Sequence, residues 1–259
     1  MAGLFFLYIF AAAMTLKEYF KLETSGWKWY ELLYLAVCTL AILIPSIITG
    51  DSLMAIISAT CGAISVVLTG KGKLGTYIFG GIQCALYAII SYRATYYGET
   101  VLNVLYLLPL EVVGFRTWMK NMNAERAEVI KLQMSWKQRA IWGAALAAGT
   151  IALGLILKHI DVISSTVLGI TDVPVDAMPF MDAFTTVGTM IAFVLTVKRY
   201  SENWWIWIAI NVATVIMWLG NVVEGGENAS IATLLMWSVY LVNSVIMMIR
   251  WQRESGKNA

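Results

Sequence analysis

Residues 180–222 read FMDAFTTVGTMIAFVLTVKRYSENWWIWIAINVATVIMWLGNV, and this stretch decides the architecture. It holds two apolar runs, 180–198 and 203–222, parted only by Arg199-Tyr200-Ser201-Glu202. Each is long enough for the roughly 17–25 residues that a helix needs to cross a bilayer. In the second run Trp204, Trp207, Asn211, Thr214, Trp218 and Asn221 recur at three- and four-residue spacing, so they share one helical face. A face that alternates broad aromatic rings with amides suits a flat ring that stacks and takes in-plane hydrogen bonds. Trp204 also reads as an interfacial anchor and Asn211 as glue between helices.

Working outward, six further runs of the same kind appear, at about 27–49, 52–69, 75–97, 101–119, 138–158 and 230–251. The breaks carry turn chemistry, such as Gly70-Lys71-Gly72-Lys73 and Glu224-Gly225-Gly226-Glu227. Longer polar connections lie around 120–137 and 159–179. Hydrophobic residues make up 59% of the 259-residue chain and charged ones 13%, too few charges to cover a soluble surface. The sequence therefore predicts an all-α membrane protein with eight transmembrane helices. With eight spans the basic residues divide sixteen to two: only Arg93 and Lys158 fall on the far side. The positive-inside rule then puts the N- and C-termini in the cytoplasm. Residues 1–26 form an N-terminal interfacial or cytoplasmic segment with no cleavable signal, and 252–259 a cytoplasmic tail.

The second half echoes the first. Met54-Ala55-Ile56-Ile57-Ser58 opens a helix ending at Thr69, and Met181-Asp182-Ala183-Phe184-Thr185 opens one ending at Thr196. A short basic loop follows each, then a helix with one amide at similar depth, Gln83 or Asn211, then a Gly-Glu turn, then a basic-aromatic end, Arg116-Thr117-Trp118 or Arg250-Trp251. Two three-helix repeats, 52–119 and 180–251, can share an orientation only if one extra span links them, and 138–158 supplies it. The expected plan is a 3+1+3 parallel-repeat core with one extra N-terminal helix, 27–49, in front, and the substrate at the repeat interface.

Polar side chains inside a span are costly and mark paths or binding sites. The candidate substrate-binding residues are Gln83, Tyr87, Asn103, Tyr106, Asp182, Thr185, Thr186, Trp204, Trp207, Asn211, Tyr240 and Asn243. Asp182 reads equally as a solvated boundary residue or as a carboxylate that attracts a cation or accepts hydrogen bonds from sugar hydroxyls. Glu111, the one acid expected near the bilayer centre, either pairs for structure or faces the path. Ser58, Gly62 and Ser65 read as a close-packing face. Cys38, Cys61 and Cys84 lie in apolar runs as small buried residues, and His159, the single histidine, is expected in a polar loop. No metal spacing, nucleophile–base pair or phosphate-binding loop is present, so no cofactor is expected and an intramembrane enzyme is disfavoured. A vitamin-binding subunit of a larger transporter stays open as a reading.

Phe180-Met181-Asp182-Ala183, then Glu202-Asn203-Trp204, Trp207 and Asn211, with Phe79-Gly80-Gly81-Ile82-Gln83 and Tyr106-Leu107-Leu108-Pro109 in the first half, resemble the PnuC family of nicotinamide riboside transporters. The resemblance runs over roughly 52–251. It implies a SWEET-like 3+1+3 arrangement and facilitated uptake of nicotinamide riboside, the cargo being trapped by a cytoplasmic riboside kinase. It also implies a homo-oligomer, a trimer, in the lipid of a bacterial inner membrane, with no nucleic-acid partner. Related branches carry thiamine or riboflavin, and ion-coupled uptake is the other alternative.

Overall fold

The structure, a computed structural model, describes residues 15–93, 100–169, 178–223 and 231–256. Within it each of the eight expected runs is helical. The short helix α1 (Leu16–Thr24) starts at Thr15, whose hydroxyl caps the Glu18 amide while the Glu18 carboxylate returns to Thr15. Then come α2 (Trp29–Ile48) and α3 (Leu53–Lys71), the latter stopped by Gly72 in the left-handed region at φ +84°. α4 (Gly75–Arg93) follows, then a π-helical turn (Leu102–Leu107) running into α5 (Leu108–Met119). Pro109 has no N–H for the Leu105 carbonyl, and the Leu108 amide reaches back to Asn103 instead, so the helix widens there.

The connection expected around 120–137 is more ordered than a loop, with β1 (Met122–Asn123) and β2 (Glu128–Val129) pairing antiparallel. α6 (Trp136–Lys158) begins in a capping box at Ser135 and Gln138. His159 ends it, and α7 (Ile160–Ile163) with a π-turn to Leu168 occupies the start of the expected 159–179 loop, because Ile160, Val162 and Ile163 extend the apolar pattern. The second set is α8 (Pro179–Val197), α9 (Asn203–Val223) and α10 (Ile231–Ser255). The first fourteen residues and the two Gly-Glu turns lie outside the described residues, as do the side chains of Trp218 and Asn221.

Among the described residues four helices, α2, α3, α6 and α8, are long and apolar enough to cross a membrane, with mean hydropathies of 2.2, 2.0, 2.0 and 1.7. Gly75, Thr76, Gly80, Gly81 and Gln83 lower the average of α4. Large apolar side chains face outward, among them Leu33, Val37, Ile44, Ile141, Ile151 and Leu155. Of the 23 residues of α6 only Gly154 is buried, so this helix presents an apolar surface on nearly every side. The chain is a multi-pass membrane protein.

Six helices close into a ring. α4 packs on α3 and α5; α9 packs on α8 and α10; and the sets join where α5 meets α8 and where α10 meets α3. The third helix of each set thus leans on the first helix of the other. α2 docks outside on α3 and α10, and α6 docks outside on α8.

One end of the ring is filled by an aromatic core of Tyr77, Phe115, Trp118, Trp204 and Trp251 with Leu74 and Met247. Tyr77 meets Trp118 edge-on at 5.0 Å, Trp204 meets Trp251 edge-on at 5.8 Å, and the two end tryptophans lie 5.9 Å apart. Trp118 Nε1 donates to the Thr196 carbonyl at 3.0 Å, and Trp251 Nε1 to the Gly70 carbonyl at 2.9 Å. Each set therefore ends in a tryptophan bonded to the first helix of the other.

Basic residues cap that end. The Lys73 ammonium, with no exposure, donates to the carbonyls of Leu22, Ser25 and Ala127 at 2.6, 2.6 and 2.8 Å. Burial pushes it down to about 8, against the pull of Glu23 and Glu128. Glu128 sits among Lys71 (2.8 Å), Lys131 (3.0 Å) and Arg250 (2.9 Å). Burial alone would raise its carboxyl, but these cations hold it below the usual carboxylate range. The segment 129–134 bridges both short loops: the Val129 amide donates to Gly72, the Leu132 amide to Arg199 and the Ser201 amide to Leu132.

Candidate functional site

The ring encloses two joined cavities. The inner one, about 230 Å³, adjoins the aromatic core and is lined from all six ring helices. The wider vestibule, about 800 Å³, runs toward the opposite end past Asp51 and Asp182. Gln83, Thr189, Trp207 and Tyr240 line both and mark their junction. Among the described residues, neither cavity is lined by a Lys or an Arg.

Local sequence explains how the junction stays narrow. Gly62 on α3 has no side chain, and a Cβ there would come within 3.1 Å of the Tyr240 hydroxyl and 3.4 Å of Gln83 Cγ. That glycine lets α4 and α10 bring an amide and a phenol to one place. Ser58, Gly62 and Ser65 therefore combine close packing with cavity lining. Ser65 also donates to the Thr76 carbonyl at 2.9 Å, tying α3 to α4.

Ten of the twelve residues expected at the site meet here. Tyr87, Asn103, Asp182, Thr185 and Thr186 line the vestibule, Gln83, Trp207 and Tyr240 the junction, and Trp204 and Asn211 the inner cavity. Asn211 is buried, and its amide nitrogen donates to Ser244 Oγ at 2.9 Å, fixing its orientation. Trp204 is 2% exposed and forms part of the aromatic floor, so it is no interfacial anchor. Two expected residues lie elsewhere. The Tyr106 hydroxyl donates to the Met190 carbonyl at 2.9 Å and bridges the π-turn to α8. Asn243 is fully buried between helices, accepting from Tyr34 at 3.1 Å and donating to the Val66 carbonyl at 3.4 Å, so it docks α2 onto the ring. Glu111, Tyr77, Trp237 and Asp51 line the cavities as well, outside the twelve expected residues. Glu111 had a signal, an acid inside an apolar run, but its helical phase was ambiguous across the π-turn. Tyr77 and Asp51 sit at helix starts, where polar and aromatic residues need no special role.

A closed ring of helices around a cavity that sets amides, hydroxyls and carboxylates among aromatic rings is the build of a membrane transporter. The chain belongs to a known transporter family: a family model described as nicotinamide mononucleotide transporter matches residues 52–253. That match begins at the ring and leaves α1 and α2 outside it. The chain is 33% identical over 241 residues to the nicotinamide riboside transporter PnuC of Neisseria mucosa, spanning 90% of this chain and 86% of that one. It is 31% identical to the protein of that name from Haemophilus influenzae, over 93% of this chain and 97% of that one. A crystal structure of the vitamin B3 transporter PnuC superposes with a TM-score of 0.74 at 30% identity, covering 95% of this chain and all of that one. The PnuC resemblance read from the motifs is thereby established.

Proposed function

We propose that this chain carries nicotinamide riboside across the membrane. The observation that carries the reading is the charge of the cavity. Its relatives are named for the riboside, whereas the family description names the mononucleotide, which differs by a phosphate. Two acids and no basic residue line the vestibule among the described residues, a poor place to desolvate a phosphate dianion. A cationic pyridinium suits it: carboxylates attract it, and the faces of Trp207 and Trp237 add about 0.5–2 kcal/mol as cation–π partners. Gln83 and Asn103 supply donors and acceptors for a carboxamide and ribose hydroxyls.

The route proposed is facilitated diffusion with alternating access between the sets α3–α5 and α8–α10. The reciprocal packing of third helix on first helix supports the 3+1+3 plan, with α6 as the link and α2 as the extra span. The cluster of basic loops at the aromatic end supports a cytoplasmic assignment for that end and for both termini, in a bacterial inner membrane. Cargo released there would be trapped as the phosphate by a riboside kinase. A trimer is the oligomer expected from the resemblance.

Calorimetry on the purified chain with nicotinamide riboside, nicotinamide mononucleotide, thiamine and riboflavin tests the reading. The riboside should bind at least about tenfold more tightly than the mononucleotide, a difference of about 1.4 kcal/mol. Preference for the mononucleotide would contradict it, and preference for thiamine would move the cargo to another cationic ring.

A further inference from the structure

The vestibule accounts for Asp182 and Asp51, but Glu111 lies deeper and has no part in that account. It is the only carboxylate lining the inner cavity among the described residues, and it is 3% exposed. Gly80 admits it: a Cβ on that residue would stand 2.4 Å from Glu111 Oε1 and 2.9 Å from its Cδ. The neighbour at Oε1 is the Cys84 thiol at 3.9 Å, a weak donor. Burying a carboxylate costs several kcal/mol unless a counter-charge meets it, and no Lys or Arg among the described residues lines this cavity. Two donors on the same lining are also unanswered. Tyr77 Oη and Trp204 Nε1, each on a side chain 2% exposed, have no hydrogen-bond partner among the described residues.

The geometry points to an inner binding station for the cargo: Glu111 faces the positive ring, and Tyr77 Oη and Trp204 Nε1 donate to its oxygen acceptors. This rests on the riboside reading and adds a second point on the path, below the Gln83–Trp207–Tyr240 junction. Glu111 then adds a third, deeper carboxylate to Asp51 and Asp182 in selecting for charge, and its counter-ion arrives with the cargo.

The test compares nicotinamide riboside with dihydronicotinamide riboside, whose reduced ring has nearly the same shape and no charge. Both are titrated into the purified full-length chain. The native protein should prefer the charged probe by on the order of tenfold. Glu111→Gln should bring the two within about threefold of each other by weakening the charged probe while sparing the neutral one. Gly80→Ala keeps the charge but displaces the carboxylate, and should shrink the preference in the same direction. Tyr77→Phe removes a donor only and should weaken both probes alike. A native protein that binds both probes equally overturns the station, as does a preference that is undiminished in Glu111→Gln. If Glu111→Gln does not fold, Gly80→Ala decides, and an unchanged preference there overturns the station. Failure of the native protein to bind either probe overturns the riboside reading and the station with it.

Discussion

Trp207 and Asn211 lie one helical turn apart on α9, one at the junction and the other just inside it. Trp207→Ala removes a ring face and should cost about ten- to a hundredfold in riboside affinity, as should Asn211→Ala, with Tm in detergent little changed for Trp207→Ala. Calorimetry beside thermal unfolding checks this, and intact riboside binding in both variants would remove α9 from the site. Tyr106→Phe provides the contrast: its hydroxyl is spent on the Met190 carbonyl, so about 1 kcal/mol of stability should be lost with affinity retained. At this scale the stripe Trp204, Trp207, Asn211, Thr214 was legible because one regular helix carries it and three-and-four spacing reports a face directly. Asn243 misled because a polar residue within a span has two uses, lining a path or joining helices, and spacing on α10 does not tell which. Its partners, Tyr34 and Val66, lie on other helices.

Among elements, the end tryptophans matter most. Trp118 and Trp251 each bond the first helix of the opposite set, and their rings touch. Trp118→Phe or Trp251→Phe should each lower stability by about 1–2 kcal/mol by leaving a buried carbonyl short of a donor. Because the rings are in contact, the double variant should depart from additivity in a thermal or denaturant titration. Lys73 joins α1, the α3–α4 loop and the ribbon through three carbonyls. Lys73→Met should cost about 2–4 kcal/mol and expose the region around Ser25 to protease. The helices and their order were readable from apolar length. The ribbon at 122–129 was not, since two-residue strands hold through long-range contacts such as Val129 with Gly72 that leave no periodic trace.

For the whole molecule, the placement of charge ties fold to direction. The basic loops expected on one side do converge at one end, locked around Glu128 and the Lys73 carbonyl cage, while Asp51 and Asp182 line the vestibule that leads away from it. Glu128 titrates below its ordinary range, so its contribution to stability is complete above its unfolded value of about 4.3 and is lost as pH falls through the lower folded value. Thermal unfolding between about pH 6 and 3 should therefore show a falling Tm, and Glu128→Gln should flatten that dependence. The measurement closest to the central claim is flux. The purified chain in proteoliposomes, with labelled nicotinamide riboside outside and neither nucleotide nor ion gradient present, should equilibrate the label across the bilayer and stop there, and mononucleotide should enter no faster than into protein-free vesicles. Riboside that binds but does not cross, or crosses only when a sodium or proton gradient is imposed, would contradict a facilitator built on this ring.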